Sequence, residues 1–155
     1  MNEWQKDRIG SAVRGENPTV LVRMKSGFAV IGDPQFLPGY CILLAYPSVR
    51  SLNDLPLPDR RDFLTDMTLI GDAITAVCNP LRVNYDILGN TDDFLHAHIF
   101  PRYPWEEEEL RKGPVWKYPK ENWSLEKFQF SEEKHGALKE QLSKKIRELI
   151  EEYDR

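Results

Sequence analysis

Two of the three histidines in this 155-residue chain, His96 and His98, stand one residue apart in the run Leu95-His96-Ala97-His98-Ile99-Phe100-Pro101-Arg102. A spacing of two is the strand period, so on a strand both imidazoles project from one face while Leu95, Ala97 and Ile99 project from the other. Imidazole has an unperturbed pKa of about 6.5, so near neutral pH it offers a nitrogen lone pair to an electrophile, a proton or a metal. Three uses of such a pair compete. The histidines can be half-buried, hydrogen-bonded residues without a chemical duty. They can be part of a metal site, which needs further His or Glu ligands that the sequence does not supply in a recognisable pattern. They can also be nucleophile and hydrogen-bond donor in covalent catalysis.

The elements around them read as strand, turn, strand. Val83 to Leu88 alternates with Asn84 and Asp86, Gly89-Asn90-Thr91-Asp92-Asp93 turns the chain, and Phe94 to Phe100 is the histidine strand. The turn brings backbone amides and the Asn90 side chain towards the imidazoles. Upstream, the spacing predicts a helix over Trp4 to Arg14, ended by Gly15-Glu16-Asn17-Pro18. Thr19 to Met24 and Phe28 to Ile31 flank Lys25-Ser26-Gly27 as a hairpin, and Tyr40 to Ala45 is a third strand after a loop stiffened by Pro34 and Pro38.

The clearest helix spans Asp59 to Val77, where Phe63, Met67, Ile70, Ile74 and Val77 form one apolar stripe. Pro56 and Pro58 precede it, Asp59 and Asp62 put negative charge in its first turn, and Asn79-Pro80 stops it. A last helix is expected from Glu132 to Tyr153, with Leu138, Leu142, Leu149 and Tyr153 along one side. The resulting fold class is α+β, an antiparallel sheet with a packed long helix and a C-terminal helical extension. Residues 1–104 form the domain that carries the histidines, and residues 105–155 an extension packed on it.

Composition narrows the function classes. No apolar run approaches the roughly 18 residues of a membrane helix, and the N-terminus lacks a basic start followed by an apolar stretch. A cytoplasmic protein with no membrane partner is expected. A net charge of −4 argues against broad binding to long nucleic acids and asks any anionic small molecule to find a local positive site. Cys41 and Cys78 have no metal or disulfide-framework spacing and read as small core residues. The run Glu106 to Glu109 reads as solvated surface, Trp105, Trp116 and Trp123 as anchors of an irregular segment rather than base-stacking platforms, and His135 as structural or exposed. Arg102 can contact a phosphate or pair with the acidic run.

The run from Leu95 to Arg102 resembles the end of the H-x-H-x-H-x-x-P-R signature of histidine triad (HIT) hydrolases, and Asn84-Tyr85-Asp86-Ile87-Leu88-Gly89-Asn90 resembles the stretch that precedes it in bacterial diadenosine tetraphosphate hydrolase-like members. Asp33 followed by Pro38-Gly39-Tyr40-Cys41 is similar to the family's acidic residue and P-G turn, and Gly113-Pro114-Val115-Trp116 carries a weaker likeness into the extension. The sequence departs from the pattern at the first triad position, which is Phe94, and at a further histidine, where Tyr40 and Ser48 stand instead.

The resemblance implies a HIT-like fold and a homodimer that binds a small-molecule nucleotide. It makes His96 the nucleophile that forms a nucleotidyl-histidine and His98 the partner of the phosphate or leaving group. It further implies ribose recognition by Asp33 and phosphate or ribose contacts from Asn84, Gly89 and Asn90. For each of these the residues also allow a plainer use: Asn84 and Asn90 suit turn and strand-end geometry, and Asp33 suits a cap on the Pro34 loop. The implied activity is hydrolysis at a nucleotide α-phosphate, in dinucleoside polyphosphates such as diadenosine tetraphosphate or in nucleoside phosphoramidates. The alternative is a nucleotide-binding protein without turnover. No cofactor is required on this reading, no metal ligand set is visible, and Mg²⁺ would arrive with a polyphosphate substrate.

Overall fold

Strands rich in β-branched and aliphatic residues pair into a sheet that is buried on one face and covered in part on the other. The computed structural model describes residues 1–155, with β1 (Val20–Met24), β2 (Gly27–Ile31), β3 (Cys41–Ala45), β4 (Arg82–Asp86) and β5 (His96–Arg102) in one antiparallel sheet of order β1-β2-β3-β5-β4. The hairpin turn is shorter than expected, since Gly27 already pairs with Met24 and only Lys25 and Ser26 connect the strands. The histidine strand opens at His96 and runs on to Arg102, so Phe94 and Leu95 precede it.

One face carries two long helices. The long helix of the sequence reading, α3 (Leu57–Cys78), starts two residues early, with Pro58 in its first turn, where a missing N–H leaves no hydrogen bond unmade. It stops at Asn79, whose φ of 49° is the left-handed conformation that Asn tolerates at a helix end, and Pro80 follows. Phe63, Met67, Ile70 and Ile74 of the expected stripe are buried against Ala29, Leu43, Ala97 and Ile99 of the sheet, with Val77 at the margin. The last helix, α6 (Glu132–Glu152), is capped by Ser131, whose Oγ accepts from the Lys134 N–H at 3.2 Å, and adds Leu142, Ile146 and Leu149 to the same core. Tyr153, expected on that side, is 56 % exposed because the helix ends at Glu152.

The other face is covered in two separate patches. The N-terminal segment forms two short helices, α1 (Glu3–Lys6) and α2 (Arg8–Val13), rather than one, because the Asp7 carboxylate turns back to accept from the Gly10 N–H at 2.9 Å and so caps a new start. Ala12 packs there with Phe28, Val30 and Leu44. Towards β4, the extension with α4 (Glu108–Arg111) and α5 (Glu121–Ser124) brings Val115 onto Phe36, Leu37, Tyr40, Phe100 and Tyr103. Ile42 of β3 touches both patches, and the strip between them stays open.

Two devices hold the extension in place. Backbone hydrogen bonds from Gln35 N to the Phe128 carbonyl and from Phe130 N to the Asp33 carbonyl, both 2.6 Å, stitch it to the loop before β3. At the far end of β5, Arg102 is 2 % exposed and its guanidinium donates to Glu106, to Asn84 Oδ1 and to the carbonyls of Leu110 and Gly113. Glu106 is therefore not the solvated residue that the acidic run suggested; it is buried, and it also accepts from Tyr118 Oη and Tyr103 N at 2.6 Å each. Glu107, Glu108 and Glu109 remain exposed as expected. Arg102 takes the ion-pair alternative rather than the phosphate one.

Removing one partner of a buried ion pair strands the other charge in an apolar setting, so Glu106→Ala is expected to lower stability by about 3–5 kcal/mol. Urea unfolding followed by tryptophan fluorescence measures it. Burial alone would raise the Glu106 carboxyl, but donors from Arg102, Tyr118 and the Tyr103 backbone outweigh it and hold the group below the usual range. A carboxyl lowered on folding contributes stability above its unfolded pKa of about 4.3 and loses it as the pH falls through the folded value. The wild type should accordingly weaken in acid below about pH 4, with a smaller acid dependence in Glu106→Ala.

Candidate active site

β5 pairs with β3 so that Leu44 faces His96 and Ile42 faces His98, and the alternation sends both imidazoles to the incompletely covered face while Ala97 and Ile99 enter the helix-side core. The open strip there is a cavity of about 290 Å³, floored by Ile42, Leu44, His96 and His98, with Arg8 and Asp33 on one wall and Trp116 and Trp123 on another. That volume lies at the small end of the range for small-molecule sites.

His96 is 7 % exposed and its Nδ1 sits 2.7 Å from the carbonyl oxygen of Phe94. A carbonyl only accepts, so Nδ1 carries the proton and Nε2 keeps the lone pair of the neutral ring. Strand-period spacing alone would put the two side chains about 6–7 Å apart; the rings in fact lean together, with centroids 4.9 Å apart and planes nearly perpendicular. Phe94, the residue in the first triad position, lies 4.8 Å from the His96 ring and lines the cavity.

His98 is oriented from the side by Tyr40, whose Oη lies 2.7 Å from Nδ1. Tyr40 is buried and has no other acceptor for its hydroxyl, so the O–H donates to Nδ1 and the ring proton resides on Nε2. Burial, then the charge of Asp33, pushes the Tyr40 phenol well above its ordinary value and keeps it protonated. Burial, then the neighbouring His96, lowers His98 to about 4, so this imidazole is neutral at pH 7. Tyr40 also stacks on Phe100 at 4.0 Å, which fixes the plane of the phenol. Trp116 closes the other side, its ring edge-on to His98 at 5.2 Å, stacked on Trp123 at 5.0 Å, and its Nε1 donating to Asp86 at 3.1 Å.

The remaining expected residues divide. Asp33 lines the cavity, but its two oxygens already accept from Arg8 at 2.6 and 3.1 Å and from Gln5 at 2.9 Å. Asn84 pairs with Phe100 across the strands, yet it is held by Arg102 at 3.0 Å and borders a separate depression along β4. Gly89 takes φ +84°, the left-handed turn conformation that glycine adopts readily, and Asn90 is exposed; neither lines the cavity, whereas Asp92 of the same turn does. Tyr40, Arg8 and Trp116 are the site residues that sequence reasoning missed. Tyr40 was visible only as a departure from the family pattern, Trp116 as an anchor, and Arg8 carried no signal. No group of three or more His, Cys, Asp or Glu side chains is placed to hold a metal ion, and no helix is long and apolar enough to cross a membrane.

No family model and no curated protein matches the chain. Solved structures do. A histidine triad protein from Marinobacter aquaeolei VT8 superposes with a TM-score of 0.70 at 20 % identity over 84 % of this chain and 89 % of its own. A hypothetical histidine triad nucleotide-binding protein from Sulfolobus tokodaii strain 7 gives 0.68 at 13 % identity over 92 % and 93 %. Plasmodium falciparum diadenosine triphosphate hydrolase, in complex with cyclomarin A, gives 0.54 at 17 % identity over 86 % and 77 %. An antiparallel sheet in the order β1-β2-β3-β5-β4, its helices, and these superpositions over most of each chain establish that the protein has the histidine triad fold.

Proposed function

We propose that the protein is a nucleotide hydrolase or transferase acting at an α-phosphate, with His96 as nucleophile. The observation that carries this reading is the pair of opposed tautomers on one cavity floor: His96 presents a lone pair at Nε2 because Nδ1–H is tied to Phe94, and His98 presents an N–H at Nε2 because Nδ1 is tied to Tyr40. Nε2 of His96 attacks the α-phosphorus, an N–P bond forms, and the bond from phosphorus to the leaving group breaks. The Phe94 carbonyl stabilises the ring as it becomes cationic. Water then attacks the same phosphorus, the N–P bond breaks, His96 returns to its neutral form and the water proton passes to solvent. His98 Nε2–H hydrogen-bonds a phosphate or leaving-group oxygen as charge builds there.

Dinucleoside polyphosphates such as diadenosine tetraphosphate, or nucleoside phosphoramidates, are the substrates of this reading. Two proteins of similar fold, a diadenosine triphosphate hydrolase and a hypothetical histidine triad nucleotide-binding protein, support that choice. The working unit is a cytoplasmic homodimer that needs no cofactor of its own, with Mg²⁺ carried by a polyphosphate substrate. Phe94 in the first triad position favours one second reading, a nucleotide-binding protein without turnover.

Assays of diadenosine tetraphosphate and adenosine phosphoramidate turnover separate the two. Wild type is expected to turn over at least one of them, His96→Ala to lose about a thousandfold or more, and a nucleotidyl adduct on His96 to be trapped in acid quench and seen by mass spectrometry. Wild type and mutant equally inactive, with both binding AMP, would establish the binding-protein reading instead.

The donor role of His98 has its own check. NMR titration of the ring nitrogens should show His98 as the Nε2–H tautomer and neutral down to about pH 4. A group lowered on folding favours the native state above its unfolded pKa of about 6.5 and withdraws that stability as the pH falls towards 4. A His98 midpoint near 6.5, or the opposite tautomer, would refute the assignment. Tyr40→Phe should leave the ring neutral at pH 7, since burial dominates, but abolish the tautomer preference.

A further inference from the structure

Arg8 is the one cationic side chain on the wall of the histidine cavity; the other charged lining groups are Asp33 and Asp92, and the two imidazoles sit beside them. Its guanidinium is not free to wander. Nη1 donates to Asp33 Oδ1 at 3.1 Å and Nη2 to Oδ2 at 2.6 Å, a two-point grip, while the Trp4 ring lies 5.3 Å from the guanidinium carbon. Gln5 Nε2, from α1, braces Asp33 Oδ2 at 2.9 Å. A guanidinium has five N–H donors and this grip uses two. The other three have no protein acceptor, and the side chain that carries them lines the cavity. The side chain is one-third exposed and Asp33 less so.

Arg8 also lies on the wall of a second cavity of about 290 Å³, which shares Phe94 and Asp92 with the first and adds Lys6 and Ser48. The two cavities adjoin at Arg8, Asp92 and Phe94. An arginine held by a carboxylate on a cavity wall, with donors left over, is placed to meet a second anion, and the planar fork matches phosphate oxygens.

We propose that Arg8 is a phosphate-binding residue of this site and that Asp33 is its positioning residue. The ligand class is a nucleotide whose phosphate group or polyphosphate chain runs past His96 towards Phe94. This inference rests on the nucleotide reading above and changes one part of it. Asp33, which the family resemblance makes a ribose acceptor, instead spends its oxygens on orienting a cation. Arg8 supplies the one set of cationic donors that this cavity, in a chain of net charge −4, offers an anionic ligand.

The test compares AMP with adenosine in calorimetric titrations of wild type, Arg8→Ala, Arg8→Lys and Asp33→Asn. Arg8→Ala should weaken AMP at least tenfold and adenosine less than twofold, so adenosine affinity also reports that the site is still folded. Arg8→Lys keeps the charge but not the fork and should recover part of the AMP affinity. Asp33→Asn should weaken AMP and spare adenosine; a ribose-binding Asp33 would weaken both alike. Equal AMP affinity in wild type and Arg8→Ala, or a parallel loss of AMP and adenosine, overturns the assignment of Arg8 while leaving the nucleotide reading intact. Failure of wild type to bind AMP at all overturns both.

Discussion

The site depends on the burial of one guanidinium at the end of the histidine strand. His96, His98, Phe100 and Arg102 share a face of β5, so the alternation that presents the imidazoles also drives Arg102 under the extension. A cation there is tolerable only if every N–H finds an acceptor, and the acceptors come from Glu106, Asn84, the Leu110 carbonyl in α4 and the Gly113 carbonyl just beyond it. The segment from Tyr103 to Tyr118 is shaped by that requirement, and Trp116 reaches His98 as a result. Such a pair adds little net stability over an apolar substitute, but once present it penalises every arrangement that breaks it.

Neutrality is the electrical signature of His98. Trp116, Tyr40 and Phe100 keep water from His98, and an imidazole in that setting holds no proton charge at physiological pH. An uncharged His98 then faces the cavity, and one backbone carbonyl and one phenol orient the two rings. Positive charge is kept to the rim, on Arg8, where Asp33 holds it.

Much of this was legible along the chain because it depends on neighbours in sequence. The stripe of α3, the alternation of β5 and the stop at Asn79-Pro80 are local patterns, and helix and strand follow them. The orienting contacts are not local. Tyr40 meets His98 across 58 positions and Arg8 meets Asp33 across 25, so neither pairing has a periodicity to betray it. Glu106 was masked by its exposed neighbours, because a run of four like residues gives no hint which one turns inward. Asn84, Gly89 and Asn90 were correctly seen as strand and turn residues, while the cavity they were expected to line opens beside Asp92 instead.

The two backbone hydrogen bonds that join Asp33 and Gln35 to Phe130 and Phe128 tie the acidic wall of the cavity to residues almost a hundred positions later. Contacts of such long sequence separation close late, since the entropy of the intervening loop must be overcome first. The histidine strand can pair with β3 as soon as both exist, but the cleft over it acquires its walls only when the last third of the chain arrives. The face that carries His96 and His98 therefore lacks its Trp116 and Trp123 wall until the C-terminal extension has docked.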